Sequence, residues 1–236
     1  MIRLDGVSKT FWVRGQHKVV ADRITATFPA GAAVALLGRN GAGKTSMLSM
    51  LAGTLAPDAG TIAVAGTVSW PVGFRGSFHG ELTGAQNVRF IARVYGVDAD
   101  ALVDFVEDFA ELGQHFHLPF RSYSSGMQAR LSFGVSMGID FDTYLIDEVT
   151  SVGDEAFRVK SARLLLQRLQ TSGAVMVSHG MAKLRQICSH GAVLEGGRLW
   201  WYDDLEAAIA HHLRNMRADL ARSATPVPQM HDDEEG

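Results

Sequence analysis

The chain holds a single cysteine, Cys188, so no internal disulfide can form. That fits a reducing compartment, with Cys188 expected as a small buried apolar residue. No run of about 18 apolar residues is present, which leaves no helix to cross a membrane. The opening residues Met1-Ile2-Arg3-Leu4-Asp5 lack the basic and apolar regions of a signal peptide. Neither sign of charge dominates: 22 basic against 25 acidic residues give a formal charge of -3. A broad cationic surface, and with it a nucleic-acid partner, is therefore not expected. His115, His117, His211 and His212 show no consistent ligand spacing and read as solvated surface residues rather than a metal site. What the chain does have is 47% hydrophobic residues, enough for a sizeable core.

One stretch organises the rest. Gly38-Arg39-Asn40-Gly41-Ala42-Gly43-Lys44-Thr45 matches the phosphate-loop pattern G-x-x-x-x-G-K-[ST]. An apolar strand is predicted before it, at 32–37. A helix is predicted after it, at 46–52, with Met47, Leu48 and Leu51 on one side and Gly53 as its stop. The glycines let backbone N–H groups approach phosphate oxygens, and the helix start beginning at Ser46 adds positive partial charge. Lys44 is suited to the β- and γ-phosphates, and Thr45 to Mg²⁺. The chain is thus expected to bind a nucleoside triphosphate.

Elsewhere the pattern alternates. Strands are expected at 2–4 and 19–28, with Phe11 and Trp12 either packed as strand residues or stacked on a nucleobase. A short hairpin is expected from 61–64 and 67–70 around Ala65-Gly66, giving a mixed sheet beside the nucleotide core. Residues 71–82 read as a loop. Thr83-Gly84-Ala85-Gln86 fits a capping box opening a helix with Val88, Ile91, Ala92 and Tyr95 inward, stopped at Gly96. Further helices are expected at 98–112, with Leu102, Phe105, Phe109 and Leu112 on one face, and at 125–137. Together they form a helical block. A buried strand at 144–146 leads to Asp147-Glu148. A helix follows at 155–170 with Phe157, Ala162, Leu165 and Leu169 inward, closed by Gly173. Then come a buried strand at 174–178 ending at His179, a hairpin of 192–195 with 198–202 carrying alternately buried Trp200, Trp201 and Tyr202, and a helix at 205–222. Residues 223–236, with Asp232-Asp233-Glu234-Glu235, read as a disordered acidic tail.

A strand-end Asp147 suits Mg²⁺, and Glu148 suits a water-polarising base. Tyr123-Ser124-Ser125-Gly126-Met127, at a helix start, is either a second anion site or an ordinary serine cap. The order of phosphate loop, Ser-Ser-Gly helix start, Asp-Glu strand and His-ended strand resembles the ATP-binding cassette family over residues 1 to about 210. Tyr123 to Met127 resembles its Leu-Ser-Gly-Gly-Gln signature, matching at Ser124 and Gly126 and departing at Tyr123, Ser125 and Met127. Val152-Gly153-Asp154 resembles the loop after the catalytic Glu, and His179 the switch histidine. Phe11 falls at the adenine-stacking aromatic, with Trp12 the adjacent candidate.

The resemblance implies an α/β phosphate-loop core with an antiparallel β subdomain and a helical subdomain at about 75–140, the whole spanning 1–222. It implies ATP and Mg²⁺ as cofactors and a head-to-tail homodimer. Each ATP would touch one copy's Gly38 to Ser46 and Phe11, and Ser124, Gly126 and Asp154 would join the shared site. Lys44, Glu148 and His179 would be catalytic, and Thr45 and Asp147 would serve Mg²⁺. The family's Mg²⁺-touching Gln has no counterpart in 69–76, so no residue there is assigned to the metal.

Trp70-Pro71-Val72-Gly73, Leu82-Thr83-Gly84 with Asn87-Val88, the Tyr-Ser-Ser-Gly-Met segment and Tyr144 to Glu148 are together similar to the ATP-binding subunits of bacterial capsular-polysaccharide exporters. O-antigen and teichoic-acid exporters share part of the pattern but often carry an extra carbohydrate-binding domain, for which the about 30 residues after the last strand do not suffice. The implied activity is ATP hydrolysis driving export through a separate membrane permease, with envelope export proteins alongside, at the cytoplasmic face of the inner membrane. Trp70, Phe74 and Phe78 are candidates for the permease groove or for packing between subdomains. Other export cargoes, and a soluble non-transport ATPase, are the competing implications.

Overall fold

The computed structural model describes residues 1–13, 15–74, 76–147 and 154–223. Two sheets and a helical block build the fold. The central sheet has six strands: β3 (Ala33–Leu37), β5 (Val68–Pro71), β6 (Thr143–Asp147), β7 (Gly173–Val177), β8 (His190–Glu195) and β9 (Arg198–Tyr202). Their order is β5-β6-β7-β3-β8-β9, all parallel except β9, which returns from β8 across Gly196-Gly197. Its inner strands are continuous apolar runs because helices and a second sheet cover both faces. Along β3, Ala35 and Leu37 enter one core with the helices, while Val34 and Leu36 enter the other with the second sheet.

The second sheet is three-stranded and antiparallel, in the order β2-β1-β4, formed by β1 (Ile2–Val13), β2 (Gln16–Phe28) and β4 (Ala59–Val64). The helix α1 (Lys44–Leu51) packs beneath it through Met47, Leu48, Met50 and Leu51.

The expected hairpin of 61–64 with 67–70 does not form, and the flanking sheet is not mixed. β4 pairs with β1, and β5 crosses to the edge of the central sheet beside β6. Bonds to a segment far along the chain hold β5 there. The Asp142 carboxylate accepts from Thr67 N at 2.7 Å and Thr67 Oγ1 at 2.9 Å, and Ser69 Oγ accepts from Leu145 N at 2.9 Å. Gly66, at φ 92, makes the bend, and a Cβ there would stand 2.5 Å from Asp142 Oδ2.

The helical block lies between β5 and β6 in the chain: α2 (Gly84–Tyr95), α3 (Ala99–Ala110) and α4 (Ser125–Gly138), with 3-10 turns at Gly113–His117 and Phe120–Ser122. Thr83 and Gln86 close the capping box reciprocally, a contribution of about 1 kcal/mol. Helix α3 stops two residues before its predicted end, with Glu111 at φ 52 accommodating the turn.

The helix α5 (Glu155–Arg168) buries Phe157 and Leu165, but Ala162 faces solvent. Gly173 begins β7 rather than closing α5, since a side chain there would meet Ala32 O at 2.9 Å. A short helix absent from the sequence reading, α6 (Met181–Ile187), follows His179. The last element, α7 (Leu205–Ser223), lies against β8, where Gly191 admits Ala208. Residues 224–236, expected as an acidic tail, lie outside the described residues.

Candidate nucleotide site

The parallel strands bring the sequence motifs to one edge. β6 ends at Asp147, β7 runs on to His179, and β3 runs into Gly38, so three motif segments leave adjacent strands at their carboxyl ends. This edge is where open α/β sheets bind ligands. The loop from Gly38 to Gly43 depends on left-handed backbone at Gly41 and Gly43, with φ of 79 and 104. Helix α1 starts two residues earlier than its periodicity suggests, so Lys44 and Thr45 lie in its first turn. No side chain caps it and no acid occupies that turn, which leaves the N–H groups for an incoming anion.

Lys44 Nζ donates to Gly38 O at 2.7 Å and Arg39 O at 2.9 Å, holding the ammonium over the loop. Arg39 and Asn40 are exposed, and Ala42 N closes a turn onto Arg39 O at 3.1 Å. Thr45 Oγ1 donates to Asp147 Oδ2 at 3.1 Å. That bond joins residues far apart in sequence into one hard oxygen-donor pair, the chemistry Mg²⁺ takes. A cavity of about 370 Å³ opens beside the loop, lined by Phe11, Lys18, Val20, Gly41, Gly43, Thr45 and Ser46. Phe11 is thus in the cavity. Trp12 is 70% exposed and packs on His17 instead. Lys18 had no motif to mark it. Its only sequence signal is its place across the strand pair from Phe11.

Ser124 and Gly126 lie elsewhere. Ser124 caps α4, its Oγ accepting from Met127 N at 3.2 Å. A second cavity, of about 440 Å³, is lined by Glu111, Leu112, His115, Ser124, Gly126, Met127, Arg130 and Asp154. It shares no lining residue with the first. Asp154 sits here, not at the phosphate loop. Its carboxyl caps α5 by accepting from Phe157 N at 2.9 Å and accepts from Arg130 at 2.7 Å. The Phe157 N–H bond, with Arg130 beside it, holds Asp154 below the usual carboxylate range. Arg130 also lies 4.6 Å from the centre of the Phe157 ring. Glu148, and Val152-Gly153 before Asp154, fall outside the described residues.

Of the two readings of Trp70 and Phe78, packing is the one found: Trp70 is 5% exposed and packs on Tyr95 and Phe141, and the partly buried Phe78 stacks on Phe120 at 5.0 Å. Phe74 is exposed, and so are Phe90 and Val94, one turn apart on α2. His212 is not the surface residue expected. The inner face of α7 packs against the sheet and leaves it 6% exposed, and burial pushes its pKa down, with Lys44 adding to the shift.

The family profile described as "ABC transporter" matches residues 21–151. The chain is 42% identical to the polysialic acid transport ATP-binding protein KpsT of Escherichia coli, over 93% of this chain and all of the relative. It is 39% identical to the capsule polysaccharide export ATP-binding protein CtrD of Neisseria meningitidis serogroup B, over 90% of this chain and 98% of that one. Among solved structures, the fold is similar to the dimeric post-hydrolysis state of the ATP-binding cassette MJ0796 bound to ADP and Pi. The TM-score is 0.70 at 19% identity, covering 84% of this chain and 96% of that one.

Proposed function

This chain belongs to the ABC transporter family, and we propose that it is the ATP-hydrolysing subunit of a capsular-polysaccharide exporter. The observation that carries the reading is the Thr45–Asp147 bond beside an uncapped phosphate-loop helix. ATP occupies the first cavity, its base on Phe11 and its phosphates on Gly38 to Ser46. Lys44 neutralises the β- and γ-phosphates. Thr45 and Asp147 would hold Mg²⁺, which would supply charge stabilisation at the phosphates. Glu148 orients the attacking water, and His179 contacts the γ-phosphate.

The two separate cavities support a head-to-tail homodimer, in which Ser124 and Gly126 of one copy complete the site on the other. Asp154, clamped by Arg130, belongs to that same junction. Closure then depends on the γ-phosphate, because its contacts to both copies exist only in the closed state.

Among the described residues no helix is long and apolar enough to cross a membrane. The similarity to ATP-binding proteins of export systems supports a separate permease as the cargo path. Phe74, Phe90 and Val94 offer exposed apolar contacts for it, with the chain held at the cytoplasmic face of the inner membrane. Envelope export proteins complete the assembly. The 42% and 39% identities to capsule-export relatives favour polysaccharide over other cargo.

Co-purification from native membranes, with a tagged Glu148→Gln variant trapped in ATP, tests the reading. Recovery of a multi-span permease is the expected result. Recovery of only soluble or nucleic-acid partners would contradict it.

A further inference from the structure

We propose that Lys18 is a second cation of the nucleotide site, engaging the α- and β-phosphates from the flanking sheet. The inference rests on the reading that the first cavity holds a nucleoside polyphosphate. β2 sets Lys18 directly opposite Phe11, and residues so paired project from the same face of the sheet. The Lys18 ammonium lies 3.4 Å from where a Cβ on Gly41 would stand, so it rests over the middle of the phosphate loop. Among the described residues no ion pair or hydrogen bond holds it. Lys9, on the neighbouring strand, is by contrast fixed to Asp58 at 2.7 Å.

None of the residues lining the cavity is acidic. Lys18 and the first-turn N–H groups of α1 therefore face one space with no acidic residue in its lining. An anion that enters this space gains from both. Position decides which phosphates are reached. Lys44 and Thr45 stand at the helix end of the loop, toward Asp147. Lys18 stands on the Phe11 side, where the phosphates nearest the base lie once the ring is stacked. Lys18 thus adds affinity for ATP and ADP alike, and it needs no γ-phosphate to act.

The test is fluorescence titration of MgATP, MgADP and adenosine against wild type, Lys18→Ala, Lys18→Arg and Lys44→Ala, at low salt and in 0.5 M KCl, on chains shown by thermal melting to be folded. Lys18→Ala is expected to weaken MgATP and MgADP by about tenfold each at low salt, with adenosine unaffected. Arginine should restore most of the loss, and the deficit should shrink in KCl as the charge is screened. Affinities of Lys18→Ala within about twofold of wild type, while Lys44→Ala loses binding, would overturn the assignment. A loss confined to ATP would overturn it too, because the charge would then act on the γ-phosphate. Full binding by Lys44→Ala would instead overturn the reading of the cavity on which the proposal stands.

Discussion

Replacing Gly43 by alanine should damage this protein through two separable effects. Gly43 enters α1 at φ 104 and ψ 14. A left-handed backbone costs a residue with a Cβ about 1–2 kcal/mol. The added methyl would also stand 2.3 Å from Val20 Cγ1 and 3.1 Å from Val20 Cβ. Val20 is buried and β-branched, so it has no free rotamer to turn into. Overpacking of this kind adds about 1–3 kcal/mol. A total near 3 kcal/mol lowers the melting temperature of a chain this size by about 6–12 °C. If the loop shifts to avoid Val20, the N–H groups leave their places and the cost appears in nucleotide affinity instead. Thermal unfolding and nucleotide titration of Gly43→Ala, Val20→Ala and the double variant separate the terms. Val20→Ala removes the steric part, so the double variant should be less damaged than the two single losses combined, with the backbone part remaining. Unchanged melting and unchanged affinity in Gly43→Ala would refute the reasoning, and so would strict additivity in the double variant.

His212 sets a pH dependence. Its folded pKa is lowered by burial and by Lys44, below the unfolded value of about 6.5. Protonation therefore favours the unfolded chain, and the neutral ring's contribution is lost as pH falls from about 6.5 through the depressed folded value. Denaturant unfolding at pH 7.5 and 5.5 should show a smaller stability drop in His212→Leu than in wild type; parallel drops would contradict this. Burial pushes the Cys188 thiol up to about 12. The folded protein should resist iodoacetamide at pH 8 and react once denatured, as read by mass spectrometry. Rapid labelling of the folded chain would count against its placement.

The elements legible in the sequence are those whose signal is local. The capping box at Thr83, the glycine turn between β8 and β9 and the apolar run of β3 each carry their own chemistry. The failures share a different cause. Residues 61–64 and 67–70 look like a hairpin because the pattern between them is a turn, yet Asp142, far along the chain, captures Thr67 and draws β5 to another sheet. Trp70 reads equally as a groove or a core residue until Tyr95 and Phe141 close around it. His212 completes the stripe of Leu205, Ala208 and Ile209 that α7 turns to the sheet, but its polar ring reads as a surface residue in the sequence. The same holds at the site. The phosphate loop is a motif, but Lys18 enters the cavity only through the pairing of β1 with β2. Asp154 likewise meets Ser124 and Gly126 in the second cavity beside Arg130 of α4, a contact that no local pattern marks.

The claim that two copies share each ATP is tested most directly by mixing two inactive variants, Lys44→Ala and Gly126→Asp, and measuring ATP turnover. In a head-to-tail pair, the mixed dimer joins the intact phosphate loop of the Gly126→Asp chain to the intact Ser124-Gly126 segment of the Lys44→Ala chain. One complete site results, so turnover should return on mixing, while each variant alone stays inactive. If each chain built its own site, every site in the mixture would carry one defect. A mixture as inactive as its components would contradict the account.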